Sequence, residues 1–166
     1  MRTRQRWINL LTIVILVSAA GCRQPDGPIP KPSAEEENKI GDVSRDLLAV
    51  RSREPSAVKD LGEDLSNFAP TNEGGRHGAE MAKRLAASLE GTKLSEDAAR
   101  QIARDLFIAF SARELSRRQV ATLRDSLGSV LSQTGVQQAT ATSVLDNVNE
   151  VQADVTTLKP KWWQLF

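Results

Sequence analysis

The chain of 166 residues has one cysteine, one histidine, two methionines and no tyrosine. One cysteine excludes an intramolecular disulfide, so the fold must hold by packing alone. One histidine, His77, excludes zinc centres built from several His or Cys ligands. No Glu-x-x-His pair is present, which removes the di-metal carboxylate bundle pattern. No Gly-x-Ser-x-Gly elbow and no Gly-x-x-x-x-Gly-Lys phosphate loop occurs. A Ser-His-Asp triad would have to run through His77, and no local signature supports one. No metal or cofactor is expected. Few aromatics are present either, so the core is built mainly from Leu, Val, Ile and Ala.

What is present begins at the start of the chain. Arg2, Arg4 and Arg6 precede an apolar run from Trp7 to Ala20, and no acid occurs before Asp26. The run ends in the small residues Ser18-Ala19-Ala20-Gly21, followed by Cys22. A basic start, an apolar middle and a small-residue cleavage site make a secretory signal. The arginines stay on the cytoplasmic side while the apolar stretch enters the bilayer. The run holds 14 residues, against about 20 for a spanning helix, so a permanent transmembrane anchor is not expected.

Ala19-Ala20-Gly21-Cys22 resembles the bacterial lipobox, although Ala19 stands where Leu is more usual. The resemblance covers the first 22 residues. It implies cleavage between Gly21 and Cys22 and a diacylglyceryl group on the Cys22 sulfur, commonly with a third acyl chain on the new amine. Two or more chains anchor a protein stably in a lipid bilayer. The alternative is an ordinary secreted protein cleaved near Ala20. Arg23 occupies the position where an Asp often retains lipoproteins in the inner membrane. Its presence implies the outer membrane, with the domain facing the periplasm.

Removal of residues 1–21 takes away three arginines and leaves 19 basic against 21 acidic side chains, a formal charge of −2. No basic field remains to hold a phosphate backbone, so nucleic acid is not an expected partner. Residues 22–34 carry four prolines, which block helix and ladder hydrogen bonds. An extended, semi-rigid spacer is expected there. A helical domain over 35–159 and an aromatic tail over 160–166 complete the organisation.

Helical signals recur through the domain. Ser33 and Glu36 fit a capping box. Ile40, Val43, Leu47 and Val50 form one stripe, and Val58, Leu61, Leu65 and Phe68 a second. Residues 69–75 read as a loop by composition, with His77 in that loop or in a first helical turn. Met81, Leu85 and Leu89 form a third stripe, ended by Gly91. Ser95 caps a fourth helix carrying Ala99, Ile102 and Leu106. Ser116 with Gln119 repeats the capping box, and Leu123 and Leu127 follow, with Gly135 ending that helix. The last helix carries Ala141, Val144, Val148, Val151, Val155 and Leu158, with Asp146, Asn147 and Asn149 as polar cover. Thr and Val favour strands, but the apolar positions step by three and four. The expected fold is all-α, a small antiparallel bundle of about five or six helices.

Three classes of function remain open at this point. A cell-wall enzyme would need a site that no motif marks; Glu80 reads as a solvated helix residue. The segment Leu115-Ser116-Arg117-Arg118-Gln119-Val120, with Leu123 and Leu127, loosely resembles the helix of OmpA-like peptidoglycan-binding domains. The arginine of that family would fall at Gln119, and its strands and aspartate segment are missing. A non-catalytic binding or scaffolding domain fits the pattern best. Its partner would be an envelope protein or a second copy joined along the Val120–Leu158 stripe.

The tail Lys159-Pro160-Lys161-Trp162-Trp163-Gln164-Leu165-Phe166 holds three of the six aromatics left after cleavage. Trp162, Trp163 and Phe166 suit a membrane interface or a partner's pocket. They would equally close one end of the bundle if the tail folds back.

Overall fold

A computed structural model describes residue 29 and residues 31–68, 72–111 and 115–157. Six helices account for nearly all of them, and no strand occurs among the described residues. They are α1 (Ala34–Arg51), α2 (Ala57–Ser66), α3 (Asn72–Leu89), α4 (Glu96–Phe110), α5 (Arg117–Gln133) and α6 (Gln138–Thr157). The all-α bundle read from spacing is the observed fold.

The caps act where the sequence places them. The Ser33 hydroxyl accepts from the Glu36 amide, and the Glu36 carboxylate accepts from the Ser33 amide. Ser116 and Gln119 make the same exchange at the start of α5. Each box satisfies two backbone donors that a helix start otherwise leaves open. Gly91 and Gly135 take φ +73° and +85° just past α3 and α5, a left-handed backbone that glycine adopts without strain.

Successive helices run antiparallel, and long-range contacts fix the two ends of the bundle. At one end the Arg53 guanidinium pairs with Glu90 at 2.5 Å. Arg51 donates to the Leu94 carbonyl at 2.8 Å, and the Lys93 amide to the Thr134 carbonyl at 3.1 Å. At the other end Arg104 donates to Glu37 at 2.8 Å. Phe68 meets Phe107 edge-on with ring centres 5.1 Å apart. The Gln152 amide donates to the Ala109 carbonyl. An even number of antiparallel helices returns the chain to its starting end. The beginning of α1 and the end of α6 therefore share one end of the bundle.

One core runs through all six helices. Ile40, Leu47, Leu61, Leu65, Met81, Leu85, Ile102, Leu106, Leu127, Val144 and Val148 are fully enclosed. Ile29 also packs against it, partly buried, four residues before the Ser33 cap. The spacer expected over 22–34 therefore meets the domain from Ile29 onward. Most of the rest of that spacer lies outside the described residues.

Three expectations need correction. Val58 was assigned to the apolar stripe of α2 but is 36% exposed, and Ala57 is buried in its place. The inner face of α2 is set by a close approach to α3, where Gly62 and Gly78 let the backbones meet. A Cβ on Gly78 would lie 2.5 Å from the Ser66 Oγ and 2.9 Å from the Gly62 carbonyl. Residues 72–75 read as loop, yet α3 begins at Asn72. The helix runs through the Gly74-Gly75 pair despite its weak helix propensity. Asn147, read as polar cover, is 0% exposed. It lies between the buried Val144 and Val148 on α6, a helix that packs on α3, α4 and α5.

Candidate functional site

Gly21, Cys22, Trp162, Trp163 and Phe166 lie outside the described residues. The structure does place the segments from which they depart. The chain enters at Ser33 and leaves at Thr157 on the same end of the bundle. Arg117 and Arg118, both exposed, open α5 on that end. No acid accompanies them in the first turn of α5. Cations are disfavoured at the positive end of a helix dipole, so these two arginines are not there for helix stability. Exposed Lys31 and Arg76 stand on the same end. The acids of the first turn of α1 have partners inside the domain. Glu35 pairs with Lys39, Glu36 closes its capping box, and Glu37 takes Arg100 and Arg104. The hydrogen bond from Arg100, with Arg104 adding to it, holds the Glu37 carboxyl below its usual range.

His77 sits inside α3, 7% exposed, and not in a loop. With Arg76, Glu80, Glu150 and Ala153 it lines an open depression of about 390 Å³ between α3 and α6. Glu80 pairs with Arg84, which holds its carboxyl below the usual range. Arg84 also donates to the Ser143 carbonyl at 2.9 Å, joining α3 to α6. Glu80 thus works as an exposed helix residue in an ion pair. Among the described residues no group of three His, Cys, Asp or Glu side chains is placed to hold a metal ion.

Two carboxyl sites escaped the sequence reading. Asp46 on α1 faces Asp64 on α2. Partial burial, with the nearby charges of Asp64 and Asp60, pushes the Asp46 carboxyl up to about 7. As two carboxylates the pair would leave the Asp46 Oδ2 without a donor. One proton on Asp46 supplies a hydrogen bond to Asp64. Burial raises Asp64 too, helped by Asp42. Part of the signal was in the sequence: Asp42 and Asp46, like Asp60 and Asp64, stand one helical turn apart, but the pairing of α1 with α2 is seen only in the fold. The second site is Asp105 on α4, 4% exposed. Burial pushes it up to about 6, against hydrogen bonds from Ser126 and Gln101.

Val58 is the one large apolar side chain exposed among the described residues. It borders an open groove of about 760 Å³ between α2 and α3, with Pro55, Gly62 and Ala79 beside it and Lys59 and Lys83 on its rim. The Val120–Leu158 stripe, by contrast, is turned inward as far as Val151: Leu123, Leu127, Val144, Val148 and Val151 all join the common core.

No helix among the described residues is long and apolar enough to cross a membrane. Comparison with protein-family models, curated proteins and solved structures finds no match.

Proposed function

We propose that this chain is the precursor of a bacterial envelope lipoprotein whose helical domain binds or scaffolds and does not catalyse. Residues 1–21 act as the export signal, and Cys22 becomes the acylated first residue. The domain then faces the periplasm, tethered at the outer membrane through its lipid. The observation that carries this reading is the order of residues 2–22: arginines, a short apolar run, small residues and then the single cysteine. The fold is compatible with it. Helix α1 is capped at Ser33, so cleavage before Cys22 removes none of the described helices. Among the described residues the surface offers scattered charge and open grooves, which suits contact with a partner better than enclosure of a substrate.

Intact-mass analysis of the protein extracted from membranes tests the anchor. The expected species begins at Cys22 and carries two or three acyl chains. Cys22→Ser should leave the chain unprocessed or release it from the membrane fraction. A native species with a bare thiol, or with residues 1–21 still attached, overturns the reading.

A further inference from the structure

We propose that the seam between α1 and α2 is a proton-operated latch: one proton shared by Asp46 and Asp64 holds the two helices together, and its loss lets α2 tilt away from α1. The latch is independent of the lipid anchor and of the role given to residues 1–22.

Geometry places the acids. Helices α1 and α2 pack against each other across the corner at 52–56. Asp42 and Asp46 stand one turn apart on α1, as do Asp60 and Asp64 on α2. Asp42 and Asp64 border a depression of about 270 Å³ together with Lys39 and Asn67. The neighbouring cations are already engaged. Arg45 pairs with Asp42 at 3.2 Å, Lys39 with Glu35 at 3.5 Å, and Lys59 with Glu63 at 3.0 Å. On the other helices packed against α1, Arg100 and Arg104 of α4 hold Glu37, and Arg84 of α3 holds Glu80.

The Asp46 Oδ2 is shut off from solvent and has no hydrogen-bond partner. Two carboxyl groups in such a place share a proton, because like charges at close range resist joint ionisation. Burial, then Asp64 and Asp60, holds that proton on Asp46 up to about 7, with Arg45 as the opposing charge. In an opened seam Asp46 returns to an ordinary value of about 3.9. Between these two values opening releases one proton, so rising pH drives it.

The fold supplies a pivot. Arg53, in the corner between the helices, takes φ +59°, a left-handed backbone uncommon outside glycine. That end is pinned, since Arg53 pairs with Glu90 and Arg51 donates to the Leu94 carbonyl. At the far end α2 stops at Ser66, two residues past Asp64. There the carboxyl pair joins α2 to α1, and Phe68 beyond it meets Phe107 of α4. Separation wets Leu47 and Leu65, each the next residue after an acid of the pair and both fully enclosed.

Backbone hydrogen exchange on the protein extracted from membranes, read at pH 5, 6, 7 and 8 and corrected for the intrinsic pH dependence of exchange, tests the latch. Opening of the amides in 43–51 and 57–66 should increase about fivefold between pH 5 and pH 8, after allowance for solvent screening of a partly exposed pair. Amides of α5 should not follow. Asp46→Asn puts a permanent donor beside Asp64, and Asp64→Asn does the same for Asp46. Each should hold the seam closed and remove the pH response. Asp105→Asn, on another buried acid, should leave the response of the seam in place. Opening of α1 and α2 that is indifferent to pH overturns the proposal. So does a response shared equally by α5, which means that the whole domain loosens, or one that survives both asparagine variants.

Discussion

The Ser126 hydroxyl on α5 donates to the buried Asp105 carboxylate on α4 at 2.7 Å. Gln101 donates to the other carboxylate oxygen at 2.9 Å, so both oxygens of an almost fully enclosed acid are satisfied. Ser126→Ala removes one donor and leaves charge uncompensated. The expected cost is about 2 kcal/mol at pH 8, measured by urea unfolding. The cost should shrink below pH 5, where Asp105 is protonated. A cost independent of pH would show that the bond does not act on the charged form.

Gly78 and Gly41 make a paired test of space. A Cβ on Gly78 meets Ser66 and the Gly62 carbonyl, whereas one on Gly41 in α1 has no atom within 4 Å. Gly78→Ala should destabilise by about 2 kcal/mol through overpacking. Gly41→Ala should stabilise by about 0.7 kcal/mol through helix propensity and reduced chain entropy in the unfolded state. Thermal melts of the two variants must move in opposite directions.

Stability should fall as pH rises from about 4 to about 7. The Asp46 carboxyl ionises near 7 in the fold and near 3.9 in an unfolded chain. Between those values the folded state holds a proton that the unfolded state has lost, so raising the pH favours unfolding. Asp105 adds to the same slope up to about 6. Glu37 and Glu80, held below their usual range, act oppositely in more acid solution. Asp46→Asn should raise stability at pH 8 by about 1 kcal/mol, allowing for solvent screening of a partly exposed pair. It should also flatten the profile between pH 5 and pH 8. An unchanged slope would remove Asp46 as its source.

Asn147 is enclosed, its Nδ2 donates to Glu150 at 3.2 Å, and its Oδ1 has no hydrogen-bond partner. Replacing a buried, half-satisfied amide with an apolar side chain of similar volume relieves a desolvation cost. Asn147→Leu should raise stability by about 1 kcal/mol in denaturant titration. A loss of stability would show that the amide is held by an interaction worth more than its burial.

The sequence made the helices readable where cap and stripe agreed. Ser33 with Glu36 and Ser116 with Gln119 named two helix starts, and the spacing of Ile40, Val43 and Leu47 named a buried face. It misled where one helix meets another. Residues 72–75 look like a loop because Gly74 and Gly75 are poor helix formers, yet α3 begins at Asn72. Val58 looks buried because periodicity fixes a stripe but not its edges. Asn147 looks exposed because amides usually are, and the neighbouring valines outweigh it. The aspartate pair needed knowledge of which helices are neighbours, which single-helix periodicity does not contain. The acyl anchor at Cys22 and the aromatic tail are read from local composition alone, and both lie outside the described residues.

The parity of the bundle carries a practical corollary for anyone building reporters into this protein. Helix α1 begins and helix α6 ends on one pole of the bundle. The tight corners at Gly91 and Gly135 sit side by side on the opposite pole, joined through Lys93 and Thr134. A short epitope spliced there would project away from the pole where α1 begins and α6 ends, and its accessibility to antibody would report the pole of Gly91 and Gly135 alone.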